Sequence, residues 1–152
     1  MKYVIHGPAT AEQVLEKAAE LLKQNLQEKD VFNNPQVTKS YLTIKMGHYE
    51  REVFAVLLLN SQHQLIEYSE VFFGTIDAAS IYPREVVKVA LKANAAAVIF
   101  AHNHPSQVSE PSQADRQITT RLKEALALID IRTLDHIVVG SDCVSFAEKG
   151  WL

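Results

Sequence analysis

The stretch that decides the fold is "AAAVIFAHNHP", residues 95–105. Its apolar first part, residues 95–101, is short and uncharged, which is typical of a strand buried at the centre of a sheet. His102 and His104 follow directly, and residues two apart in an extended chain point to the same side. Pro105 also favours an extended conformation at His104. The pattern therefore predicts a central strand whose end presents two imidazole groups side by side.

Two imidazoles at the end of a strand can hold a metal ion if a third protein ligand lies nearby, with a fourth position left for water. The spacing offers Asp115, which begins the helix predicted after the loop at residues 105–114. Alternatively, the histidines are polar residues where a strand reaches the surface, and Ser112 and Asp115 form a capping box, Ser-x-x-Asp. The two interpretations of Asp115 are compatible, because a ligand in the first turn of a helix must be held rigidly.

Water activated by such a metal also needs a base to accept its proton. Since Asp115 would be used as a ligand, the base must come from elsewhere in the chain. Spacing alone does not choose among the acidic residues near the predicted core strands. The candidates are Glu50, Glu52, Glu67, Glu70 and Glu85. For each of them the alternative is a solvated surface carboxylate.

The segments around the central strand predict a mixed α/β order. Branched and aromatic residues between turn signals indicate strands, and apolar residues at helical spacing indicate helices. The other predicted strands are residues 52–60, 65–76, 133–140 and 143–148. The predicted helices are residues 11–28, 38–46, 83–94 and 112–131. Helices on both faces of a mixed sheet would satisfy this order.

The N-terminal part of the chain predicts a helical arm rather than a separate domain. Thr10 and Gln13 have the spacing of a capping box at the start of the first helix. The Asn-Pro step at the end of this region is a turn signal. We therefore expect residues 1–34 to form the arm and residues 35–152 to form the main domain.

The composition limits the classes of function. The chain has 152 residues, of which 47% are hydrophobic and 22% charged, and its net charge of −3 gives no overall basic field for nucleic acid. The single cysteine, Cys143, excludes an intrachain disulfide and a multi-cysteine zinc site, and it suits a reducing cytosol. No segment reaches the roughly 18 apolar residues of a membrane span, and the N-terminus is too polar for a signal peptide. We expect a cytoplasmic protein without a membrane segment.

The set His102-Asn-His104-Pro, Ser112 and Asp115 resembles the JAMM motif of JAB/MPN-domain metalloproteases. Several separated stretches narrow the resemblance to the RadC family. These stretches are YPREVVKVAL, NAAAVIFAHNHPS, PSQADRQIT, LDHIVVG and SFAEKGWL. The likeness covers roughly residues 35–152. From the resemblance we expect the chain to be most similar to the short, prophage-type RadC-like proteins, without the N-terminal helix-hairpin-helix region of longer members.

The resemblance implies a three-layer α/β/α sandwich of the JAB/MPN type, related to cytidine deaminases. It also implies a zinc-dependent hydrolase that cleaves a peptide or isopeptide-like amide. The residues that match the ligands of one zinc ion per chain are His102, His104 and Asp115. Ser112 matches the serine that stabilises the oxyanion. Glu52 best matches the glutamate that acts as general acid/base, with Glu50 as the alternative. Deamination itself is not expected, because it needs His-x-Glu and Pro-Cys-x-x-Cys.

Gln107 departs from the family pattern, because RadC proteins usually read His-Pro-Ser-Gly and this chain has glutamine in place of the glycine. A glycine at that place suits a turn with positive φ, so we expect a loop of different shape. The departure does not involve a predicted ligand.

Two other functions stay open at this stage. The first is a DNA-repair-associated accessory protein that binds nucleic acid. The resemblance to RadC proteins implies this function, but the composition does not support it. The second is an inert JAB/MPN scaffold, against which the intact ligand set argues. The peptide or protein substrate is not determined by the fold, and two imidazoles with a carboxylate accept several divalent ions. The oligomeric state is also open, with a homodimer as one candidate.

Three further features of the sequence invite a functional interpretation. Asp135 and His136 could form an acid–imidazole pair, but adjacent residues in a strand point to opposite faces, so we interpret both as structural. Cys143 is interpreted as a small core residue rather than a nucleophile. Basic residues on one face of the helix at 83–94 could contact phosphates, although helices ordinarily carry such charges on their solvent side.

Overall fold

The computed structural model describes residues 5–77 and 80–152, which contain five helices and five strands. The helices are α1 (Ala11–Glu28), α2 (Pro35–Met46), α3 (Pro83–Lys92), α4 (Gln113–Ala127) and α5 (Phe146–Lys149). The strands are β1 (Val53–Leu59), β2 (Leu65–Phe73), β3 (Ala97–Asn103), β4 (Arg132–Val139) and β5 (Cys143–Ser145). The order of elements is the predicted one, with one short helix added at the C-terminus.

The strands form one mixed sheet in the order β2-β1-β3-β4-β5. β1 is antiparallel to β2 and β3, β3 is parallel to β4, and β4 is antiparallel to β5. Every residue of β1 and of β3 is buried, as expected for strands covered on both faces. The prediction of a central strand that leads into the histidines is confirmed, and this strand continues through Asn103.

Alternate side chains of β1 and β3 point to opposite faces of the sheet, and each face is covered by a helical layer. On one face, residues such as Leu57 and Ile99 pack with Leu26 of α1 and Leu42 of α2. On the other face, a second cluster joins the sheet to α3 and α4. Its members include Phe54, Phe100, Val86, Ile118 and Leu122. The predicted three-layer α/β/α arrangement with a mixed sheet is confirmed.

The two predicted N-terminal helices are present. Thr10 and Gln13 form the predicted capping box: the Thr10 amide donates to the Gln13 side chain at 2.9 Å, and the Gln13 amide donates to the Thr10 hydroxyl at 3.1 Å. The second helix starts at Pro35, three residues before the predicted start, because proline suits the first turn of a helix.

The last predicted strand, residues 143–148, is wrong in its second half. β5 ends at Ser145, and α5 begins at the next residue. Two acceptors at this point favour a helix start, since the Ser145 hydroxyl accepts from the Glu148 amide at 3.2 Å and an Asp135 carboxylate oxygen accepts from the Ala147 amide at 2.9 Å. Gly150, with a φ of 72°, ends the helix.

The buried carboxylate of Asp135 connects β4 to this C-terminal segment through hydrogen bonds. One of its oxygens accepts from the amides of His136 and Ala147, at 2.7 and 2.9 Å, and the other accepts from the Ser145 hydroxyl at 2.6 Å. Burial raises the pKa of Asp135 above its usual value, against the lowering effect of these bonds. The folded state therefore binds a proton at Asp135 more readily than the unfolded state does.

We expect Asp135→Asn to change the free energy of unfolding by less than about 1 kcal/mol at pH 7, because the amide oxygen still serves both backbone donors. The raised pKa gives wild type a stabilising contribution that is present below the ordinary carboxyl pKa of about 4 and is lost as pH rises through the folded value. Wild type should thus gain stability over the variant as pH falls. Urea unfolding at pH 7 and pH 4 measures this difference.

The matched control for this prediction is Asp135→Ala, which leaves the amides of His136 and Ala147 without their acceptor. We expect it to lose about 2–4 kcal/mol at both pH values. A difference between wild type and Asp135→Asn that does not change with pH would contradict the assignment.

Candidate metal centre

The end of β3 places the two histidines as the spacing predicts. His102 is fully buried and lies between its strand partners Phe54 of β1 and Val138 of β4. His104 lies one residue beyond β3, but its amide still donates to the Val139 carbonyl at 2.8 Å, so the chain stays beside β4. The two imidazole Nε2 atoms are 2.9 Å apart.

The first turn of α4 brings Asp115 to the same place. The Ser112 hydroxyl accepts from the Asp115 amide at 3.1 Å, and the Ser112 amide donates to Asp115 Oδ2 at 2.8 Å, so both bonds of the capping box are formed. Asp115 Oδ1 lies 3.1 Å from His102 Nε2, and Oδ2 lies 3.3 Å from His104 Nε2. The capping box is therefore confirmed, and the ligand role of Asp115 stays a prediction that agrees with it, because the cap orients the carboxylate towards the histidines.

The donor set suits a divalent metal ion. One ligand atom from each of His102, His104 and Asp115 lies within 4.8 Å of the others. His104 Nδ1 lies 2.7 Å from the Val108 carbonyl oxygen, which can only accept, so Nδ1 carries the proton and Nε2 presents its lone pair. The side chains of His102 and Asp115 are 1% and 3% exposed, whereas that of His104 is 15% exposed. Solvent therefore reaches the cluster from the side of His104.

Electrostatics keep the carboxylate of this cluster ionised. Burial alone would raise the pKa of Asp115, but the neighbouring imidazoles of His102 and His104 and the Ser112 amide hold it well below its usual value. The nearby Asp115 carboxylate raises the pKa of His104, against the lowering effect of burial. An ionised aspartate beside two imidazoles is the protonation state that a cation requires.

Glu52 immediately precedes β1 and is half-buried. It lies two residues before Phe54, the strand partner of His102, and its backbone carbonyl accepts from the Gly74 amide at 2.9 Å. The Ile76 amide donates to its carboxylate at 2.7 Å, so the side chain is held at the end of the β1–β2 hairpin. The charge of Glu52 also helps to raise the pKa of His104.

The other acidic candidates have different surroundings. Glu50 is exposed and lines a surface depression with His48 and Tyr49, and Glu67 is exposed on the edge strand β2. Glu70 accepts hydrogen bonds from the hydroxyls of Tyr49 and Tyr68, at 2.7 and 2.8 Å. Glu85 lies within 3.8 Å of two basic side chains on α3. The assignment of Glu52 as the base stays a prediction, and its location favours it over these alternatives.

Sequence reasoning missed Asn103, the residue between the two histidines. Its side chain is buried, accepts from the Val53 amide at 2.7 Å and donates to the Arg51 carbonyl at 2.9 Å. These bonds bracket Glu52 and tie the segment that carries it to the strand that carries the histidines. The sequence did carry a sign of this role: an asparagine at the end of a buried strand needs hydrogen-bond partners for its amide group.

Sequence reasoning also assigned His136 a role unrelated to the site. His136 and Asp135 do point to opposite faces, but His136 Nε2 lies 2.8 Å from His102 Nδ1. On its other side His136 Nδ1 lies 2.5 Å from the Thr119 hydroxyl, which donates to the Asp115 carbonyl at 2.7 Å. A histidine among the apolar residues of β4 was the only sign of this contact.

Gln107 adopts the positive φ that a glycine would favour at its place, with a φ of 70°. Its amide donates to the His104 carbonyl at 2.9 Å and closes a turn, and its own carbonyl accepts from the Ser141 amide at 2.8 Å. The chain thus has a positive φ at this place without a glycine, and a different shape for the rest of the loop stays a prediction. The bonds at both of its peptide groups hold Gln107 in a conformation that a side chain disfavours.

We expect Gln107→Gly to raise the free energy of unfolding by about 0.5–1 kcal/mol, because the strain at positive φ exceeds the entropy that glycine adds to the unfolded chain. Urea unfolding measures the change. The matched control is Ser106→Gly in the same turn, a residue without positive φ, which should lose about 0.5 kcal/mol. Destabilisation by Gln107→Gly would contradict the strain.

Basic residues of α3 and α4 that could contact phosphates include three that lie beside acidic or aromatic groups. Arg84 and Lys88 each lie 3.8 Å from the Glu85 carboxylate. The Arg116 guanidinium lies 4.0 Å from the centre of the Trp151 ring. Binding of nucleic acid stays a hypothesis.

Cys143 is partly buried against the core, and burial raises the pKa of its thiol, which agrees with a packing role.

Residues 32–151 match the family of RadC-like JAB domains, and the chain belongs to this family. Its relatives include two proteins from Vibrio cholerae, each named UPF0758 protein. The first is 63% identical over 140 residues, which cover 92% of this chain and 89% of the relative. The second is 59% identical over 151 residues, or 99% of this chain and 96% of the relative. A UPF0758 protein from Aeromonas hydrophila is 57% identical over 150 residues, 67% of its length. The resemblance to the RadC family is confirmed.

Within residues 5–77 and 80–152, no helix combines the length and the apolar character that crossing a membrane requires.

Proposed function

We propose that this chain is a zinc-dependent hydrolase of the JAMM type that cleaves a peptide or isopeptide-like amide in the cytoplasm. The observation that carries the proposal is the convergence of two imidazole Nε2 atoms and one ionised carboxylate at the end of the central strand. His102, His104 and Asp115 would hold the ion. Zinc at this place would supply the Lewis acidity that polarises a carbonyl and makes water nucleophilic near neutral pH.

Glu52 supplies the proton transfers in this proposal. Its carboxylate accepts the proton of the attacking water and then delivers it to the nitrogen of the departing amine. The Ile76 amide bound to one carboxylate oxygen and the Asn103 bonds to the flanking backbone hold this group in place. Such positioning matters because proton transfer needs hydrogen-bond reach to the reacting atoms.

Ser112 supplies a donor. Its hydroxyl oxygen accepts from the Asp115 amide, so the hydroxyl hydrogen can be donated to the oxygen of the amide as negative charge develops there. The same residue thus orients a ligand through its cap and stabilises the oxyanion.

The test begins with metal analysis by mass spectrometry of protein purified without an affinity tag. We expect about one zinc per chain, and we expect the zinc-loaded protein to cleave members of a pool of peptides and lysine-linked isopeptides, with loss on chelation and recovery on adding zinc. No metal after zinc is added back would contradict the proposal. Zinc without cleavage would favour the accessory protein, which DNA binding at two salt concentrations then tests.

A further inference from the structure

A buried chain of hydrogen bonds lies behind the candidate metal centre and joins two of its three proposed ligands. It runs from His102 Nδ1 to His136 Nε2 at 2.8 Å, from His136 Nδ1 to the Thr119 hydroxyl at 2.5 Å, and from that hydroxyl to the Asp115 carbonyl at 2.7 Å. His102 and His136 are 0% exposed, and Thr119 is 3% exposed. Water therefore cannot replace any of these three side chains as a hydrogen-bond partner.

The donor in each of these hydrogen bonds can be worked out by starting from the Asp115 carbonyl. A backbone carbonyl only accepts, so the single hydrogen of the Thr119 hydroxyl is donated to it. The Thr119 oxygen must then accept from His136, which places a proton on His136 Nδ1. The His136 ring packs against Phe54, Phe100 and Phe146, with ring centres 4.7–5.9 Å away, and apolar surroundings favour the neutral ring. A neutral ring protonated at Nδ1 accepts at Nε2.

The same logic sets the state of His102. Because His136 Nε2 accepts, His102 donates from Nδ1, and in the neutral ring this leaves Nε2 as the nitrogen with the free lone pair. That nitrogen faces Asp115 at 3.1 Å and His104 at 2.9 Å. An imidazole binds a metal only through an unprotonated nitrogen, so the opposite tautomer of His102 would block the site.

We infer that His136 is a positioning residue of the metal centre: it accepts the Nδ1 hydrogen of His102 and thereby holds His102 Nε2 ready for the ion. The inference rests on the proposed function, since it concerns the same zinc site. Metal-binding histidines commonly donate their second nitrogen to a carboxylate or a backbone carbonyl. Here His136 is the acceptor instead, and Thr119 of α4 orients it. The two hydrogen bonds of His136 therefore connect β3, β4 and α4 at the site.

The test measures zinc affinity by competition with a chelator and the tautomer of His102 by nitrogen-15 NMR of the zinc-free protein. His136→Phe keeps an aromatic ring but removes the acceptor. We expect it to weaken zinc binding by about 10–100-fold and to move the His102 proton partly to Nε2. His136→Gln restores an acceptor oxygen, and we expect it to recover most of the affinity.

Two further variants separate positioning from packing. Phe146→Leu removes part of the ring that stacks on His136, at 4.7 Å between ring centres, without touching the hydrogen bonds. We expect it to lower the melting temperature and to leave zinc affinity within about 2-fold. Thr119→Val removes the hydroxyl that orients His136, and we expect a smaller affinity loss than His136→Phe causes. If His136→Phe does not fold, Thr119→Val decides the question, and unchanged affinity and tautomer in it overturn the inference.

The outcomes also distinguish this inference from the proposed function. Wild-type protein that binds no zinc overturns the proposed function and this inference together. Zinc binding in wild type with unchanged affinity and an unchanged His102 tautomer in His136→Phe overturns the inference alone. Equal losses of affinity in His136→Phe and Phe146→Leu also overturn it, because packing would then explain the effect.

Discussion

His104→Ala is expected to abolish zinc binding while the protein stays folded. The side chain is one of three proposed ligands and is partly exposed, so its removal leaves no enclosed cavity in the core. We expect zinc affinity to fall by more than about 100-fold, the upper range for loss of a group that only supports a ligand. Metal analysis by mass spectrometry and competition with a chelator measure the loss.

The matched control for His104→Ala is His48→Ala, which removes an exposed histidine from the surface beside Tyr49. It should bind one zinc per chain with the affinity of wild type. If His104→Ala also retained one zinc per chain, the ligand set would be wrong, and His102 and Asp115 would then be a buried pair that serves the fold.

Glu52→Gln is expected to keep the zinc and to lose hydrolysis. The amide oxygen of glutamine can still accept from the Ile76 amide, so the local structure should persist, but an amide cannot take up the proton of water. We expect a rate reduced by about 10²–10⁴-fold on any substrate found in the peptide pool. Metal content and rate are measured on the same zinc-loaded preparation.

Glu50→Gln is the control that this prediction needs, because the residue is exposed and only two positions away. Its rate should stay within about 2-fold of wild type. Normal hydrolysis by Glu52→Gln would show that the base is another group, and a large loss in Glu50→Gln alone would identify that group.

The local parts of the candidate site were predictable from the sequence because they depend on spacing within one element. A period of two residues puts His102 and His104 on one side of an extended strand, and a spacing of three puts Ser112 and Asp115 in one capping box. The burial of the central strand was predictable from its uninterrupted apolar run. The spacing relations need only an extended chain at the histidines and a helix that begins after Ser112.

The choice among glutamates and the contacts behind the site depend on strand order and register. Phe54, two residues after Glu52, lies opposite His102 because of the register in which β1 pairs with β3. His136 reaches His102 because β4 lies parallel to β3 with His136 opposite Phe100, two residues before His102 on the same face. Residues that meet in this way are far apart along the chain, so no local period reveals them.

The sequence by itself thus determined the central strand, the pair of histidines at its end and the capped aspartate that follows. The tertiary structure alone decided where the Glu52 carboxylate is held and which buried partners contact the histidines. The physical reason is that strand periodicity and helix capping act over two to four residues, whereas strand order and register arise from packing of the whole sheet between its two helical layers.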